Sequence, residues 1–83
     1  MAAVDYGSLA SDLLAELGGE ENISSFTHCA TRERIVLKDD GKADKEAIEK
    51  LPGVITVVQA GGQFQVVVGN DVPKLHAELE KLA

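Results

Sequence analysis

The sequence predicts an α+β fold in which three helices pack on one face of a four-stranded antiparallel sheet, in the order α-β-β-α-β-β-α. Three segments carry apolar residues at helical spacing, and four short runs favour strands. The strands come in two pairs, each joined by a short turn, so antiparallel pairing is expected. Because each helix has one apolar face, the three can cover one side of the sheet and leave the other to solvent or a partner.

The first helix is predicted over residues 8–17. Leu9, Leu13 and Leu17 recur every four residues and form one apolar stripe. Ser8 has a side chain suited to an N-cap, and the glycine pair after Leu17 is a helix stop.

The first strand pair is predicted over residues 23–28 and 33–38. Alternation of apolar and polar residues is weak in the first run and clear in the second, where Ile35 and Leu37 share one face. The opposite face of the second run carries Arg34, Val36 and Lys38.

A second helix is predicted from an N-cap at Asp44 to about Lys50, and Pro52-Gly53 ends it. The second strand pair covers residues 54–59 and 63–68. Between these β-branched runs lies Ala60-Gly61-Gly62, which indicates a hairpin turn.

The last helix is predicted to follow an N-cap at Asn70 or Asp71. Pro73 falls in its first turn, where a missing N–H is harmless. Its apolar stripe consists of Val72, Leu75, Leu79 and Leu82. The 83 residues contain no linker or repeat, so a single domain over residues 1–83 is expected.

Composition excludes several classes of function. A net charge of −6 and only three aromatic residues argue against a general nucleic-acid binder. The longest apolar run, Val66–Val68, is too short to span a bilayer, and the N-terminus has no signal-peptide pattern. One cysteine excludes an internal disulfide framework and a cysteine-rich zinc site. A soluble, cytoplasmic, acidic domain is therefore expected.

The densest cluster of reactive side chains runs from Thr27 to Arg34, at the junction of the first two strands. Arg32 and Arg34 point to the same face of a strand and lie close to Cys29 in sequence. Cationic groups and turn N–H donors would lower the pKa of the thiol, and guanidinium groups bind phosphate oxygens in pairs. The alternative, that Cys29 is a small buried apolar residue, stays open on composition.

Other reactive residues suggest less. His28 and Cys29 are adjacent on a strand and face opposite sides, so a Cys–His hydrolase is not supported. One cysteine and two distant histidines make a poor metal site, and no metal is predicted. His76, on the last helix, is expected to face solvent.

Six segments recur in order in one known family. They are Leu17–Ile23, Thr27–Arg32, Val36–Asp39, Gly53–Val58, Gly61–Gly69 and Asp71–Pro73. Together they resemble the enzyme IIB domain of the bacterial phosphoenolpyruvate-dependent sugar phosphotransferase system, in the sucrose, trehalose and β-glucoside branch of its glucose/glucoside superfamily. The resemblance covers residues 8–82, and the cysteine block followed by the Gly-Gly-Gln block is its most specific part.

This resemblance implies a four-stranded antiparallel sheet with helices on one face, and a phosphotransferase activity. Cys29 would accept a phosphoryl group from a histidine of enzyme IIA and donate it to a sugar bound by membrane enzyme IIC. The residues matching the phosphate-stabilising positions are Ala30, Thr31, Arg32 and Arg34. A neighbouring group would comprise His28 and the turn residues Gly61, Gly62 and Gln63. No metal or organic cofactor is required.

The resemblance also implies partners and a place in the cell. Enzyme IIA would be the phosphohistidine donor and enzyme IIC with its sugar the acceptor, with no nucleic acid involved. The domain would be monomeric when isolated and would lie at the inner face of the cell membrane, tethered through enzyme IIC. It is expected to be a piece of a longer IIBC chain. The alternative function is a phosphorylatable regulatory or binding module without sugar transfer; a thiol redox domain would need a second cysteine.

One position departs from the family pattern. Glu33 stands where the family has an apolar residue between the two arginines. Strand alternation places this carboxylate on the face of Ile35 and Leu37, which should look toward the helices. It therefore either reaches water at the strand end or pairs with a basic group, because a buried unpaired carboxylate is costly. Glu33→Leu should stabilise the domain, by roughly 1 kcal/mol if the site is partly buried.

Overall fold

The computed structural model describes residues 4–82 and confirms the predicted class and order of elements. Two single-turn 3₁₀ helices, Glu20–Asn22 and Asp40–Lys42, are added to the predicted elements. The main elements are α1 (Tyr6–Glu16), β1 (Ile23–His28), β2 (Arg32–Leu37), α2 (Lys45–Glu49), β3 (Thr56–Ala60), β4 (Gln63–Val67) and α3 (Val72–Leu82).

The four strands form one antiparallel sheet in the order β1-β2-β4-β3. All three helices cover one face: α3 packs against β1 and β2, α2 packs against β3, and α1 packs against the other two helices. The apolar core lies between the helices and the sheet. Its buried members are Leu9, Ala10, Leu13, Leu17, Ile35, Leu37, Ile48, Val57, Phe64, Val66, Val68, Val72, Leu75 and Leu79.

The start of α1 differs from the prediction. The helix begins at Tyr6, and its N-cap is Asp5, whose carboxylate accepts a hydrogen bond from the Ser8 backbone N–H at 3.1 Å. Ser8 lies within the first turn and donates its hydroxyl to the same carboxylate at 3.2 Å. Ser8 is therefore not the cap, because Asp5 stands three residues before the amide that needs an acceptor. The helix ends before Gly18 and Gly19, as predicted.

The later boundaries shift by one or two residues. Strand β3 starts at Thr56 rather than at residue 54. Ala60 belongs to this strand, so the hairpin turn consists of Gly61 and Gly62. Both glycines have positive φ, 59° and 76°, as a two-residue hairpin turn requires. Of the two predicted caps for α3, Asp71 is the residue directly before the helix, and its carbonyl accepts from the Leu75 N–H.

Strand register decides which side chains share a face. Glu33 pairs with His28 on one side and Val66 on the other, so these three lie on the helix-covered face. Arg34 pairs with Thr27 and with Gln65, one residue along, on the open face. The strands therefore separate the arginines from Glu33 by the thickness of the sheet.

Candidate functional site

The loop from Cys29 to Thr31 joins β1 to β2 and is held by backbone hydrogen bonds. The Cys29 N–H donates to the Arg32 carbonyl oxygen at 3.0 Å, which closes a tight turn. The Thr31 carbonyl accepts from the N–H groups of Val68 and Gly69, at 3.0 and 3.1 Å. The loop is thereby fixed against the end of β4, and Ala30 is exposed at its tip.

The thiol of Cys29 is half-buried, and its pKa is lowered. A hydrogen bond from the Thr31 backbone N–H lowers the pKa of this thiol, and partial burial opposes that shift. The Arg32 backbone N–H and the charge and hydrogen bond of the Arg34 guanidinium lower the pKa further. Because the net shift is downward, more of the thiol is present as thiolate, the nucleophilic form.

Two half-buried arginines lie on the open face beside this loop. The guanidinium of Arg32 donates to Gln65 Oε1 at 2.8 Å, and Gln65 Nε2 donates to Gln63 Oε1 at 3.2 Å. Arg34 is less satisfied, because its Nε is buried and has no hydrogen-bond partner in the described part of the chain. An unpaired buried donor beside a thiolate is suited to an anion that brings its own oxygen acceptors.

The predicted neighbouring turn is only partly near this site. Gly61 and Gly62 lie at the opposite end of β4 from the Cys29 loop, because β4 runs from Gln63 toward the residues that hold that loop. Gln63 connects to the arginine face through Gln65. Gln65, which is buried, was not predicted as a site residue; its pairing with Arg34 across the strands and its hydrogen bond with Arg32 reveal it.

His28 lies on the helix-covered face of the sheet and contacts the loop from that side. Its Nδ1 lies 3.0 Å from the Cys29 carbonyl oxygen. Since a carbonyl oxygen only accepts, Nδ1 must carry the proton and donate. His28 therefore anchors the Cys29 backbone through its carbonyl oxygen.

Glu33 pairs with a basic group, the second of the two predicted alternatives. Its side chain is 0% exposed, and its Oε2 lies at hydrogen-bond distance, 2.8 Å, from His76 Nδ1. His76 was expected to face solvent, and that is wrong: its side chain is 19% exposed and packs between Phe26 and His28. The sequence did not reveal this pair because the two residues are 43 positions apart.

Comparison with known proteins gives the family. Residues 11–44 match the sequence profile of a family described as phosphotransferase system, EIIB. A crystal structure titled as one domain of the PTS system, IIabc component from Clostridium difficile, superposes with a TM-score of 0.89 and 39% identity, covering 94% of this chain and 82% of that one. The chain belongs to the EIIB family of the phosphotransferase system.

Relatives of this EIIB domain are named for sugars. A β-glucoside-specific EIIBCA component of Bacillus subtilis is 48% identical over 88% of this chain, and a sucrose-specific EIIBC component of Staphylococcus xylosus is 44% identical over 95%. The EIIB domain spans only 12% and 17% of the lengths of these two relatives.

Residues 4–82 of this EIIB domain contain neither a membrane-spanning helix nor a cluster of metal-binding side chains. No helix there combines the length and apolar character needed to cross a bilayer. Within the same range, no three histidine, cysteine or acidic side chains come together as a metal-binding group.

Proposed function

We propose that this EIIB domain carries a phosphoryl group on Cys29, accepting it from a histidine of an enzyme IIA and donating it to a sugar held by a membrane enzyme IIC. The observation that carries the proposal is the half-buried thiol of lowered pKa beside Arg34, whose buried Nε has no partner among residues 4–82. A phosphoryl group on the sulfur would bring an oxygen acceptor for this Nε.

In the accepting step, the Cys29 thiolate attacks phosphorus in line with the nitrogen of the donor phosphohistidine. The S–P bond forms as the N–P bond breaks, and the leaving imidazole takes the electron pair. Arg34 neutralises charge on the phosphoryl oxygens, and Arg32, oriented by Gln65, adds donors on the same face. The N–H groups of Thr31 and Arg32 that stabilise the thiolate also favour the incoming anion.

In the donating step, a sugar hydroxyl oxygen attacks the same phosphorus. The O–P bond forms, the S–P bond breaks, and the thiolate leaves with the electron pair while a base on the membrane component takes the hydroxyl proton. A thiol of lowered pKa is a good leaving group as well as a nucleophile, so Cys29 suits transfer in both directions.

The names of the relatives support the proposed partners. Components named EIIBC and EIIBCA join the same kind of domain to further ones in one chain. We therefore propose that residues 1–83 act beside an enzyme IIC at the cytoplasmic face of the membrane. The Glu33 carboxylate does not oppose the arginines, because it lies on the other face of the sheet, paired with His76, and this favours sugar transfer over the alternative of a regulatory module.

A transfer assay tests the proposal. Labelled phosphoenolpyruvate, the general phosphotransferase proteins and an enzyme IIA should label the wild-type domain, and membranes containing enzyme IIC with a panel of sugars should remove that label. Cys29→Ser should fold and accept no stable label, because a hydroxyl without a base is a weak nucleophile. Label found on His28 or His76 would contradict the assignment of the acceptor.

A further inference from the structure

A cluster of three ionisable side chains lies directly under the Cys29 loop. His28 and Glu33 form the last residue pair between β1 and β2 before the loop begins. From α3, His76 reaches Glu33 Oε2 at 2.8 Å and brings its ring to 4.6 Å from that of His28, tilted by 56°. The three side chains therefore form a continuous row on the helix-covered face.

The burial of Glu33 is unfavourable for the stability of the fold. Its carboxylate is fully buried with a single hydrogen bond, and Oε1 has no partner among the described residues. A buried carboxylate with an empty acceptor costs free energy that an apolar side chain would not. Because an apolar side chain would avoid this cost, stability alone does not explain the acid, and its position beside the loop suggests a different use.

The row reaches the reactive residue through one hydrogen bond. His28 Nδ1 donates to the Cys29 carbonyl at 3.0 Å, and the Cys29 N–H donates to the backbone carbonyl of Arg32. Both backbone polar groups of Cys29 are thus fixed from inside the protein. The Thr31 and Arg32 N–H groups lower the pKa of the thiol only while the loop keeps this shape.

We propose that Glu33, His76 and His28 form a positioning row that holds the Cys29 loop in its thiolate-stabilising shape and makes the reactivity of Cys29 depend on the protonation of the row. In phosphoryl transfer, this role rests on the proposed function of Cys29. The three are positioning residues, because none of them touches the sulfur or the phosphoryl group.

The charges around Glu33 set the direction of the coupling. Its ionisable neighbours are His28 from β1 and both His76 and Glu80 from α3, while β4 presents the apolar Val66. Burial raises the pKa of Glu33, and the two imidazoles lower it. The Glu33 carboxylate is thus the negative charge that faces both imidazoles, and a charged donor makes a stronger hydrogen bond to the Cys29 carbonyl than a neutral one.

Alkylation of Cys29 by iodoacetamide tests the row without any partner protein. Rates would be measured from about pH 5 to pH 9, which spans the histidine and thiol titrations. His28→Phe keeps a ring and removes the donor, so the thiol pKa should rise and the neutral-pH rate should fall by about threefold or more. His28→Asn puts an amide N–H near the position of Nδ1 and should restore most of the rate.

Glu33→Gln keeps the shape and the acceptor but removes the charge. Its rate profile should differ from that of the wild type, because the negative charge that faces both imidazoles is gone, whereas Glu46→Gln, which changes an exposed carboxylate on α2, should follow the wild-type curve. Wild-type rates for His28→Phe, or an unchanged profile for Glu33→Gln, would overturn the proposal.

Two further measurements keep the test decisive. If a variant does not fold, carbon NMR of the wild type should show the Cys29 carbonyl shift following the titration of His28 and His76, and a carbonyl shift that ignores both would overturn the row. In the transfer assay, equal labelling of the wild type and of His28→Phe at every pH would contradict the positioning row but not the proposed function. An unlabelled wild type contradicts the proposed function and leaves the alkylation result to judge the row.

Discussion

Cys29 lies between two unlike faces of the same sheet. On the open face, Arg34 supplies positive charge and a buried Nε donor that has no partner within residues 4–82. On the helix-covered face, His28 holds the backbone of Cys29 by its carbonyl. The division is chemically sensible, because a phosphoryl group needs access and charge on one side while the loop that presents the thiol needs a fixed support on the other.

The reach of each interaction along the chain explains which residues could be predicted. Cys29, Arg32 and Arg34 fall within six positions, so strand alternation alone places both guanidinium groups on one face. Gln65 binds Arg32 from 33 positions away, and His76 meets Glu33 from 43. Those partners depend on strand register and on how α3 is rotated, which no local pattern reports.

Substitutions of the arginines should separate charge from geometry. Arg34→Gln should raise the pKa of the Cys29 thiol, because the guanidinium charge that lowers it is gone, and Arg34→Lys should leave that pKa nearly unchanged. Both should slow phosphoryl transfer by about tenfold or more, since lysine copies a two-pronged phosphate contact poorly. Thiol alkylation against pH and the transfer assay measure the two effects.

Arg32→Gln is the matched comparison. In the wild type, the Arg32 guanidinium donates to Gln65, and of the groups of Arg32 only the backbone N–H contributes to the lowered pKa of the thiol. This variant should therefore reduce transfer with little change in the alkylation profile. Equal profiles for Arg34→Gln and Arg32→Gln would show that the charge of Arg34 does not act on the sulfur.

Among the elements, the helix boundaries depend on single polar side chains. Asp5 caps α1, and Asp44 caps α2 by accepting from the Ala47 N–H at 3.1 Å. The cap of α2 was predicted and that of α1 was not, because Ser8 has equally suitable chemistry and only the backbone path decides between them. The side-chain amide of buried Asn22 donates hydrogen bonds to the carbonyls of Leu17 and Asp39, and the sequence did not predict these bonds.

Asp5→Ala should lower the thermal midpoint by several degrees, because the Ser8 amide loses its acceptor and the helix N-terminus loses a favourable negative charge. Asp5→Asn keeps the acceptor and should recover most of the loss. Asp12→Ala, an exposed site farther along α1, is the control. A fall for Asp12→Ala as large as that for Asp5→Ala would contradict the assignment of the cap.

The β3–β4 turn should matter for stability and not for chemistry. Gly61 has a φ of 59° and open space around the position of a Cβ, so Gly61→Ala introduces backbone strain of about 1 kcal/mol without a clash. Phosphoryl transfer measured well below the melting temperature should be unchanged, because this turn lies at the far end of β4 from Cys29. Slower transfer at full folding would place the turn beside the site, as the family resemblance had implied.

The topology of the whole molecule follows from patterns that are local in sequence. Two hairpins and three one-sided helices admit few arrangements, and the observed order β1-β2-β4-β3 joins the hairpins through their β2 and β4 strands. Apolar periodicity identified the core side of the sheet correctly at Ile35 and Leu37. Strand alternation placed Glu33 on that same side but did not identify its partner, because His76 comes from a distant helix that only the complete fold brings there.

That buried acid should shape the pH dependence of the stability of the domain. The pKa of Glu33 is raised above its ordinary value of 4.5, mainly by burial, so the folded state holds this proton more tightly than the unfolded chain does. The unfolding free energy contributed by Glu33 must therefore fall as pH rises from its ordinary pKa through the raised one. Below that window the side chain is neutral in both states and the penalty disappears.

Urea denaturation of the wild type and of Glu33→Gln, from about pH 4 to pH 7, isolates this contribution because glutamine cannot ionise. Wild-type stability should decline relative to Glu33→Gln across the window, whereas Glu46→Gln, an exposed carboxylate, should differ from the wild type by a constant. Parallel curves for the wild type and Glu33→Gln would mean that His76 compensates the buried charge fully. A wild type that gains on Glu33→Gln with rising pH would reverse the sign, and would mean that His76 stabilises the buried carboxylate by more than burial costs it.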